Sequence, residues 1–404
     1  MNGIKRQFVS EGHLVDSGIL TRILNLIVEE GASYEINKFI MGKNNLESSH
    51  IELTVTCTDN NKIDSITAKL VNLGCYEKVF KEAILKPAPK DSTVPEDFYS
   101  TTNHKTLVFL NGTWHEVQKQ RMDGVIVAYD GAMMCKKLRD VKKGEKIVCT
   151  SQSVRLIPPF RDRESGEFGF MVNDVSSERS VDVAVEKIAE EFRRVRRGGG
   201  KIIAVAGPVV IHTGGGMALA SMIREGYING LLTGNALAVH DIESVFFGTS
   251  LGVDLKTGRP TYEGHRNHMR AINRIFFHGS IKKAIDAGIL NSGVMYEVIK
   301  KNIPFVLAGS LRDDGPLPET ITNIVEAQEQ YQKVIQDASI VIMLSTMLHS
   351  IATGNMLPSW VKTICVDINP AVVTKLADRG SAQTIGIVTD VGLFMRLLAQ
   401  KLLG

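Results

Sequence analysis

The chain of 404 residues is 44% hydrophobic and 23% charged, and its lysines and arginines exceed its aspartates and glutamates by only 47 to 44. This composition is typical of a globular protein large enough for two or three domains. The basic residues are dispersed, and no apolar run approaches the roughly 18 residues that a membrane-spanning helix needs. We therefore expect neither a nucleic-acid partner nor a membrane partner.

The N-terminal sequence and the cysteines favour a cytoplasmic protein. The segment MNGIKRQFVSEGHLVDSG has no hydrophobic signal core. The cysteines are odd in number, lie far apart and form no C-x-x-C pair, which argues against a disulfide framework and against a zinc site. We expect no metal, and reduced, mostly buried thiols at Cys57, Cys75, Cys135, Cys149 and Cys365.

Residues 1–95 are predicted to form a small α+β domain. Strand-like and helix-like segments follow one another in the order βαββαβ: RQFVSEGHLVDS, GILTRILNLIVEEGA, SYEINKFIMG, SSHIELTVTC, NNKIDSITAKLVNLGC and YEKVFKEAILKP. This is the order of a ferredoxin-like domain, which is common to amino-acid-sensing modules and to domains without a ligand. We favour a structural or oligomerising role, and we expect a homo-oligomer.

Residues 96–180 are predicted to form a small β-rich module. The preceding segment KPAPKDSTVPED (86–97) contains three prolines and indicates a linker or an exposed crossing. The strand-like runs KTLVFLNGTWHEV, DGVIVAYDGAMMCKKL and EKIVCTSQSVRLIPPF follow, and Asn-Gly, Asp-Gly and Lys-Lys-Gly turns divide them.

Residues 181–404 are predicted to form an α/β domain with a doubly wound parallel sheet. The helix VDVAVEKIAEEFRRVRR leads to the strand KIIAVAGPVVI, and further apolar runs follow at INGLLTG, IPFVLAGS, SIVIMLS, KTICVDI and AQTIGIVTD. Near-continuous apolar strands that alternate with helices indicate a parallel sheet covered on both faces. In such a sheet, ligands bind beyond the carboxyl ends of the strands.

The glycines Gly214, Gly215 and Gly216 follow the first of these strands, in the stretch AVAGPVVIHTGGGMALASMI. Glycine permits positive φ and close backbone approach, and the N-terminus of the next helix favours a phosphate. The spacing is not that of the common dinucleotide-binding G-x-G-x-x-G motif, so the three glycines alone could equally mark a tight turn.

Other strand ends strengthen the prediction of a nucleotide site. Gly234 and Asn235 follow the second strand, and a hydroxyl-rich turn from Ser345 to His349 follows another. Asp367 ends the strand KTICVDI, where a carboxylate suits a ribose diol and repels a 2′-phosphate, which favours NAD over NADP. A turn or capping role is the alternative for Asp367.

The motifs HTGGG, LSTMLHSIATGNMLP and VDIN resemble the NAD-binding fold shared by deoxyhypusine synthase and the sirtuins. The longer motifs FGFMVNDVSSERSVDVAV, LLTGNALAVHDIE, GSLRDDGPLPETITNIVEAQ and VDINPAVVTKLADRG resemble the conserved region first named from lysine-oxoglutarate reductase/saccharopine dehydrogenase proteins, which is the archaeal-type, NAD-dependent ornithine cyclodeaminase family. The resemblance covers essentially the whole chain. It implies conversion of L-ornithine to L-proline and ammonia with a retained NAD.

The resemblance also implies the residues that contact NAD. They are Asn235, Ala236, Asp314, Thr346, Met347, Leu348, His349, Asp367, Asp390 and Val391. Asp390 precedes the helix VGLFMRLLAQKLL, so its alternative role is that of an N-cap. Asp313 and Asp314 in RDDGPLP are candidate catalytic carboxylates, and a solvated acidic turn is the alternative for this pair.

The substrate site needs a cation for the carboxylate of ornithine, preferably a forked arginine, and a carboxylate for its amines. Arg161 is our candidate for the cation. Further candidates, each equally suited to surface salt bridges, are Arg163, Asp174, Glu178 and Arg179. His265 and His268 are candidate proton carriers that could instead cap or pack a helix.

These inferences give one mechanism and two rivals. NAD would act as an internal hydride store: hydride leaves Cα of ornithine, the δ-amine attacks the imine, ammonia departs, and the ring imine regains the hydride. One rival is an NAD-consuming or aminobutyl-transferring enzyme like the sirtuins or deoxyhypusine synthase. The other is a regulatory module that senses an amino acid through the N-terminal domain.

Overall fold

The computed structural model describes residues 3–15, 18–43, 47–157, 178–261, 264–313, 315–378 and 384–404. The chain divides into two compact units. One unit comprises Met1–Phe168 with Asn355–Trp360, and the other comprises Gly169–Gly354 with Val361–Gly404.

The first unit begins with a four-stranded antiparallel sheet and two helices. These elements are β1 (Ile4–Gly12), α1 (Ile19–Glu29), β2 (Ser33–Ile40), β3 (Ser49–Cys57), α2 (Asn60–Asn72) and β4 (Cys75–Glu77). The strand order β2-β3-β1-β4 is that of a ferredoxin-like domain, so this prediction is confirmed. The helices bury apolar side chains such as Ile23 and Ile63 against Phe8 and Leu53 of the sheet, and this burial stabilises the domain.

A second sheet in the same unit has seven strands. They are β5 (Ile84–Pro87), β6 (Lys105–Leu110), β7 (Thr113–Gln118), β8 (Val125–Tyr129), β9 (Ala132–Lys136), β10 (Lys146–Cys149) and β11 (Val154–Ile157). The prediction of a β-rich module is confirmed. The prediction of one continuous strand over YEKVFKEAILKP was wrong, because the chain breaks after Glu77 and β5 pairs with β10 of the second sheet. Between the two strands Val79 and Phe80 are adjacent and exposed, so the segment lacks the alternate burial of a continuous strand.

The second unit is an α/β domain. Its elements are α3 (Glu178–Arg197), β12 (Lys201–Ala206), α4 (Val209–His212), α5 (Gly216–Arg224), β13 (Gly230–Gly234), α6 (Asn235–Phe247), β14 (Thr249–Ser250), β15 (Val253–Asp254), α7 (Asn267–His278), α8 (Ile281–Asp286), α9 (Val294–Lys300), β16 (Phe305–Ala308), β17 (Thr320–Ile321), α10 (Ile324–Ile335), β18 (Ala338–Leu344), α11 (Met347–Met356), β19 (Lys362–Asp367), α12 (Pro370–Asp378), β20 (Thr384–Val388) and α13 (Val391–Leu403).

Seven of these strands form one parallel sheet in the order β17-β16-β13-β12-β18-β19-β20. The central strands are buried along nearly their whole length, as their continuous apolar sequences predict. Helices α3, α5 and α13 pack together, while α10 packs on β16 and β18, and α12 packs on β19 and β20. The predicted doubly wound Rossmann-type architecture is confirmed.

The order of the strands reverses between β12 and β18. Strands β13, β16 and β17 extend from β12 in one direction, and β18, β19 and β20 extend in the other. Adjacent loops leave the sheet in opposite directions at such a switch point, which opens a crevice at the carboxyl edge. The crevice therefore lies beyond Ala206 and Leu344, the last residues of β12 and β18.

Candidate functional site

The loops that follow β12 and β18 meet at the switch point. A Cβ atom at Gly207 would lie 2.3 Å from the carbonyl oxygen of Ser345, so this approach requires glycine. Ser345 has a φ of 45°, in the left-handed region that residues other than glycine rarely adopt. Strained backbone of this kind is concentrated at ligand-binding turns.

Helix α11 begins directly after this turn, where the sequence predicts contacts from Thr346, Met347 and Leu348. Met347 and Leu348 are apolar, yet 45% and 75% of their surfaces are exposed. The carbonyl of Thr346 accepts a helical bond from the amide of Ser350 at 3.1 Å. The amides of the first turn have no partner within the helix, so they and the helix dipole favour an anion such as a phosphate group.

His349 is part of a hydrogen-bonded chain that links β18 to β13. The hydroxyl of Tyr331 donates to the carbonyl oxygen of Thr233 at 2.8 Å, so the Tyr331 oxygen accepts from Nδ1 of His349 at 3.0 Å. Burial lowers the pKa of His349 below its ordinary value, although the Asp313 carboxylate opposes that shift. The ring is therefore neutral, with its proton on Nδ1 and a lone pair on Nε2. A Cβ atom at Gly234 would lie 3.0 Å from that Nε2.

Asn235 begins α6 and holds the loop that follows β16. It is 3% exposed, and its side-chain oxygen accepts from the amide of Leu317 at 3.0 Å and from the hydroxyl of Thr320 at 3.1 Å. The next residue, Ala236, is partly buried in the first helical turn. The Asn235 side chain thus positions the loop, and the cofactor contacts predicted for Asn235 and Ala236 remain predictions.

Asp313 lies in the loop after β16 and forms a local turn. Its carboxylate accepts from the amide of Ser310 at 2.8 Å, and it is close enough to His349 to influence the pKa of that ring. This geometry agrees with both readings of Asp313, an acidic turn and a carboxylate at the carboxyl edge. Asp314 and Arg161, the other two catalytic candidates, lie outside the described residues.

The side chains of the remaining substrate candidates are not among those that the structure describes, so these candidates stay predictions. Arg163 and Asp174 lie outside the described residues, whereas Glu178 and Arg179 begin α3 without described side chains, as does His265 in a short turn before α7.

Asp367 ends β19 and is 8% exposed. One carboxylate oxygen accepts from the amide of Asn369 at 2.8 Å. Burial and the nearby Asp367 charge raise the pKa of Cys365 to about 12. Asp367 therefore forms a turn contact and also supplies a largely buried acceptor at the carboxyl edge, so its role as a ribose ligand stays a prediction.

The glycine triplet does not follow β12 directly, because the short helix α4 intervenes. Gly214 has a φ of +77°, and Gly215 and Gly216 begin α5. A Cβ atom at Gly215 would lie 3.3 Å from the Cα atom of Gly392 at the start of α13. The structure thus explains the triplet through close helix packing, and a phosphate contact at Gly214–Gly216 stays a prediction.

Asp390 is the N-cap of α13, and its carboxylate accepts from the amide of Leu393 at 2.7 Å. Val391 is 1% exposed and packs in the core. The alternative role given above for Asp390 is therefore present in the structure. Contact of either residue with a cofactor stays a prediction.

Polar side chains on α4, α6 and β14 form a cluster beside His268 of α7, and of these residues only His268 was predicted from the sequence as a candidate. The rings of His212 and His240 are 4.8 Å apart, and the ring of His268 is 6.4 Å from that of His240. Nδ1 of His240 lies 2.8 Å from the carboxylate of Glu243, and Nδ1 of His212 lies 2.6 Å from the hydroxyl of Ser250. The available signal was H-x-x-E within HDIESVFFGTS, a helical spacing that places both side chains on one face.

None of the helices among the described residues combines the length and the apolarity that a membrane span requires. Within those residues, no group of three or more histidine, cysteine or acidic side chains is arranged to hold a metal ion. The prediction of unpaired, buried thiols is confirmed for all five cysteines.

Three family models match consecutive parts of the chain. Residues 5–104 match the LOR/SDH bifunctional enzyme conserved region. Residues 105–185 match the first region of the C-terminal part of arginine dihydrolase ArgZ-like proteins, and residues 186–398 match the Rossmann fold of the same part.

Curated relatives span nearly the whole chain. A protein of Methanocaldococcus jannaschii named ornithine cyclodeaminase is 51% identical over 98% of this chain and 96% of its own length. The bifunctional arginine dihydrolase/ornithine cyclodeaminase AgrE of Nostoc sp. is 49% identical over 97% of this chain. The chain spans 57% of the length of that bifunctional relative.

Solved structures agree with the fold. Apo ArgZ, described as an arginine dihydrolase from the ornithine-ammonia cycle in cyanobacteria, is 42% identical with a TM-score of 0.86, over all of this chain and 58% of that one. A LOR/SDH protein from Methanococcus maripaludis S2 is 50% identical with a TM-score of 0.75, over 80% of this chain and 98% of that one. AgrE in a ternary complex with ornithine and NAD⁺ is 47% identical with a TM-score of 0.55, over 100% of this chain and 58% of that one.

Proposed function

Because the chain belongs to the ornithine cyclodeaminase family built from the LOR/SDH conserved region and the ArgZ-like C-terminal domains, we propose that it converts L-ornithine to L-proline and ammonia with bound NAD. The reaction is an ammonia elimination with ring closure, and it has no net oxidation or reduction. We place the reaction in the cytoplasm.

The observation that supports this proposal most strongly is the convergence of ligand-type groups at the switch point. Gly207 and the strained Ser345 bring two backbones together, and the N-terminus of α11 offers free amides beside them. Asp367 adds a buried acceptor at the end of the next strand. Donors for phosphate oxygens and an acceptor for a ribose diol are the groups that a dinucleotide needs.

The residues at this edge fit NAD in their chemistry. We assign the ribose diol to Asp367, the phosphates to the amides of Thr346–Leu348, and a position beside the cofactor to the neutral ring of His349. When bound, NAD supplies a reversible hydride acceptor. The buried Tyr331 fixes the His349 ring, and such a fixed orientation reduces the ordering cost of binding.

The protonation states of substrate and products fix the net number of protons transferred between the two nitrogens of ornithine. Ornithine enters with two ammonium groups, and the products are proline, with a ring NH₂⁺, and NH₄⁺. The δ-nitrogen therefore loses one proton on becoming the ring nitrogen, and the α-nitrogen gains one proton on leaving. The net result is the transfer of one proton from the δ-nitrogen to the α-nitrogen, and a single group that accepts it from the first and returns it to the second can carry it.

Our proposed catalytic groups from the sequence are Asp313, Asp314 and Arg161. Arg161 would bind the carboxylate of ornithine through its forked guanidinium, and the two carboxylates would bind its amines. For Asp313, the influence of its charge on His349 supports a place near the carboxyl edge. For Asp314 and Arg161 the support is the sequence alone.

The proposal is tested with the purified chain and L-ornithine. Denaturation of the protein as purified, followed by mass spectrometry of the supernatant, identifies any nucleotide that was bound. The protein is then stripped of nucleotide and assayed for proline and ammonia with and without NAD. Equal amounts of proline and ammonia, formed only when NAD is restored, are the expected result. Full activity of the stripped protein, or release of nicotinamide, would contradict the proposal.

A further inference from the structure

We propose that His240, oriented by Glu243, is the proton carrier that transfers the proton from the δ-nitrogen of ornithine to its departing α-nitrogen. This inference rests on the proposed function. It assigns the proton transfer to a side-chain cluster of which the sequence identified only His268, on the part of the carboxyl edge formed by the segments that follow β12 and β13.

The foundation of the cluster is the carboxylate of Glu243, which is fully buried. One oxygen accepts from the hydroxyl of Thr249 at 2.8 Å and from the amide of Gly252 at 3.0 Å. The other accepts from Nδ1 of His240 at 2.8 Å and from the amide of Leu251 at 3.1 Å. Burial alone raises the pKa of Glu243, but these bonds outweigh burial and hold the pKa below its ordinary value. Glu243 is therefore an anion in a fixed position.

This anion determines the tautomer of His240. Because the carboxylate can only accept, Nδ1 of His240 is the nitrogen that carries the proton. Nε2 is then the basic nitrogen, and within the described part of the chain it has no hydrogen-bond partner. A carboxylate that orients an imidazole and stabilises its protonated form is the arrangement by which histidine acts as a general base and then as a general acid.

Two further imidazole rings lie near His240. His212 faces it from α4, and His268 faces it from α7. Burial, followed by the charge of His240, lowers the pKa of His212 to about 4, so His212 is neutral at physiological pH. Arg270 of α7 contacts the side chains of Asn267 and Phe247. One carboxylate and two imidazoles thus surround the His240 ring.

The position of the cluster agrees with this role. His212 ends α4, just before the glycine triplet, and His240 lies in α6 five residues beyond Asn235, which is about 7.5 Å along the helix axis. Both follow strands at the centre of the sheet, on the side of the switch point opposite to β19 and Asp367. Neighbouring strands lie about 4.8 Å apart, and three such spacings separate β13 from β19 in the sheet.

The structural alternative is that Glu243 only holds the β14–β15 turn, and that His240 is one of its donors. That role needs a donor at position 240 but no basic nitrogen. Another buried acid on α6, Asp241, has a structural role of this kind, because its two oxygens accept from the amides of Val294 and Met295 at the start of α9. A variant that retains a hydrogen-bond donor to Glu243 but lacks a basic nitrogen therefore distinguishes the structural role from the proton-carrying role.

His240→Gln is that variant, since its amide can still donate to Glu243, and His278→Gln at the end of α7 is the matched control. We expect kcat of His240→Gln to fall by about 10²- to 10⁴-fold, with NAD affinity and thermal unfolding close to those of the wild type. External imidazole should partly restore the activity of His240→Ala.

A second measurement does not depend on turnover. Long-range ¹H–¹⁵N correlation spectra of the unliganded wild type, with His240 assigned by comparison with His240→Gln, should show the proton on Nδ1. A proton on Nε2, or a wild-type kcat in His240→Gln, would overturn the inference. Failure of the wild type to form proline would instead contradict the proposed function, while the tautomer measurement would still test the cluster.

Discussion

The hydroxyl of Tyr331 joins two neighbours of the central strand through hydrogen bonds, to the carbonyl of Thr233 at the end of β13 and to the ring of His349 after β18. Tyr331 comes from α10 and is 3% exposed, so this link is shielded from water. Buried hydrogen bonds with fixed partners restrict the side chains that form them. His349 is therefore held in one orientation and one tautomer before a ligand arrives.

Tyr331→Phe removes the hydroxyl from this link. The carbonyl of Thr233 and Nδ1 of His349 then lose a buried partner, which we expect to reduce the free energy of unfolding by about 1–3 kcal/mol. NAD affinity should fall as well, because the His349 ring becomes free to turn. Urea unfolding and NAD titration measure the two effects. Tyr34→Phe on the exposed strand β2 is the control and should change neither. Unchanged NAD affinity in Tyr331→Phe would separate His349 from the cofactor site.

Gly207→Ala should disrupt the switch point. The added Cβ atom would lie 2.3 Å from a backbone carbonyl of the loop after β18, so that loop has to move. We expect weaker NAD binding by at least about tenfold, equivalent to about 1.4 kcal/mol. Gly198→Ala is the control, since its Cβ atom would meet only ordinary contacts at 3.5 Å or more. Equal NAD affinity in the two variants would show that the crevice binds no cofactor.

Asp367→Ser should weaken NAD binding and relatively favour NADP. The carboxylate is lost as a charged acceptor, whose hydrogen bonds are worth about 1.5–3 kcal/mol, and its repulsion of a 2′-phosphate disappears. Asp337→Ser, before the amino end of β18, is the control. Calorimetric titration with both dinucleotides gives the comparison. A preference ratio equal to that of the wild type would mean that the adenosine ribose lies elsewhere.

The lowered pKa of His212 predicts a specific loss of stability in acid. Its pKa is lowered to about 4 in the folded protein, mainly by burial, whereas the unfolded chain has the ordinary value near 6.5. Between these two values the unfolded state binds more protons, so stability is lost as the pH falls from about 6.5 to about 4. His212→Gln should flatten this part of the stability profile, and His115→Gln in β7 should not. Parallel profiles for wild type and His212→Gln would contradict the assignment.

Isotopic labels test the proposed reaction itself. Ornithine deuterated at C2 should give proline that retains the deuterium at C2, because the hydrogen leaves and returns without exchange with water. Ornithine with ¹⁵N at the α position should give labelled ammonia and unlabelled proline, because the δ-nitrogen closes the ring. Mass spectrometry of both products decides the two points. Loss of the deuterium, or retention of the α label in proline, would exclude this route even if proline is formed.

The sequence predicted the sheets well because their signals are local. Near-continuous apolar runs such as IIAVA and IVIML identify buried parallel strands wherever they occur, and the order βαββαβ identifies the first sheet. The strand YEKVFKEAILKP failed because pairing with a distant strand, β10, decided the position of its second half. Local propensity contains no information about that partner.

The candidate site was predicted where it depends on strand ends and missed where it depends on tertiary packing. Gly234 and His349 follow strands, so the switch-point rule brings them together without a structure. Glu243 lies inside a helix and looks like a surface residue in HDIESV, and only the fold shows that it is fully buried. Likewise, Asn235 was predicted as a cofactor ligand, whereas its side chain also holds the loop after β16.

The pairing of β12 with β18 has a consequence for the way the protein folds. The two strands are neighbours in the sheet. Lys201 at the start of β12 nevertheless lies 136 residues before Asp337, the residue that precedes β18. Pairing over such a separation is entropically costly and slow, so β12 and β18 should join after the local hairpins and helices have formed. The close approach of Gly207 to Ser345 exists only after that event. A cofactor that binds there stabilises the state in which the two strands are joined, and we expect NAD supplied during refolding to increase the yield of native protein rather than the rate of its early phases.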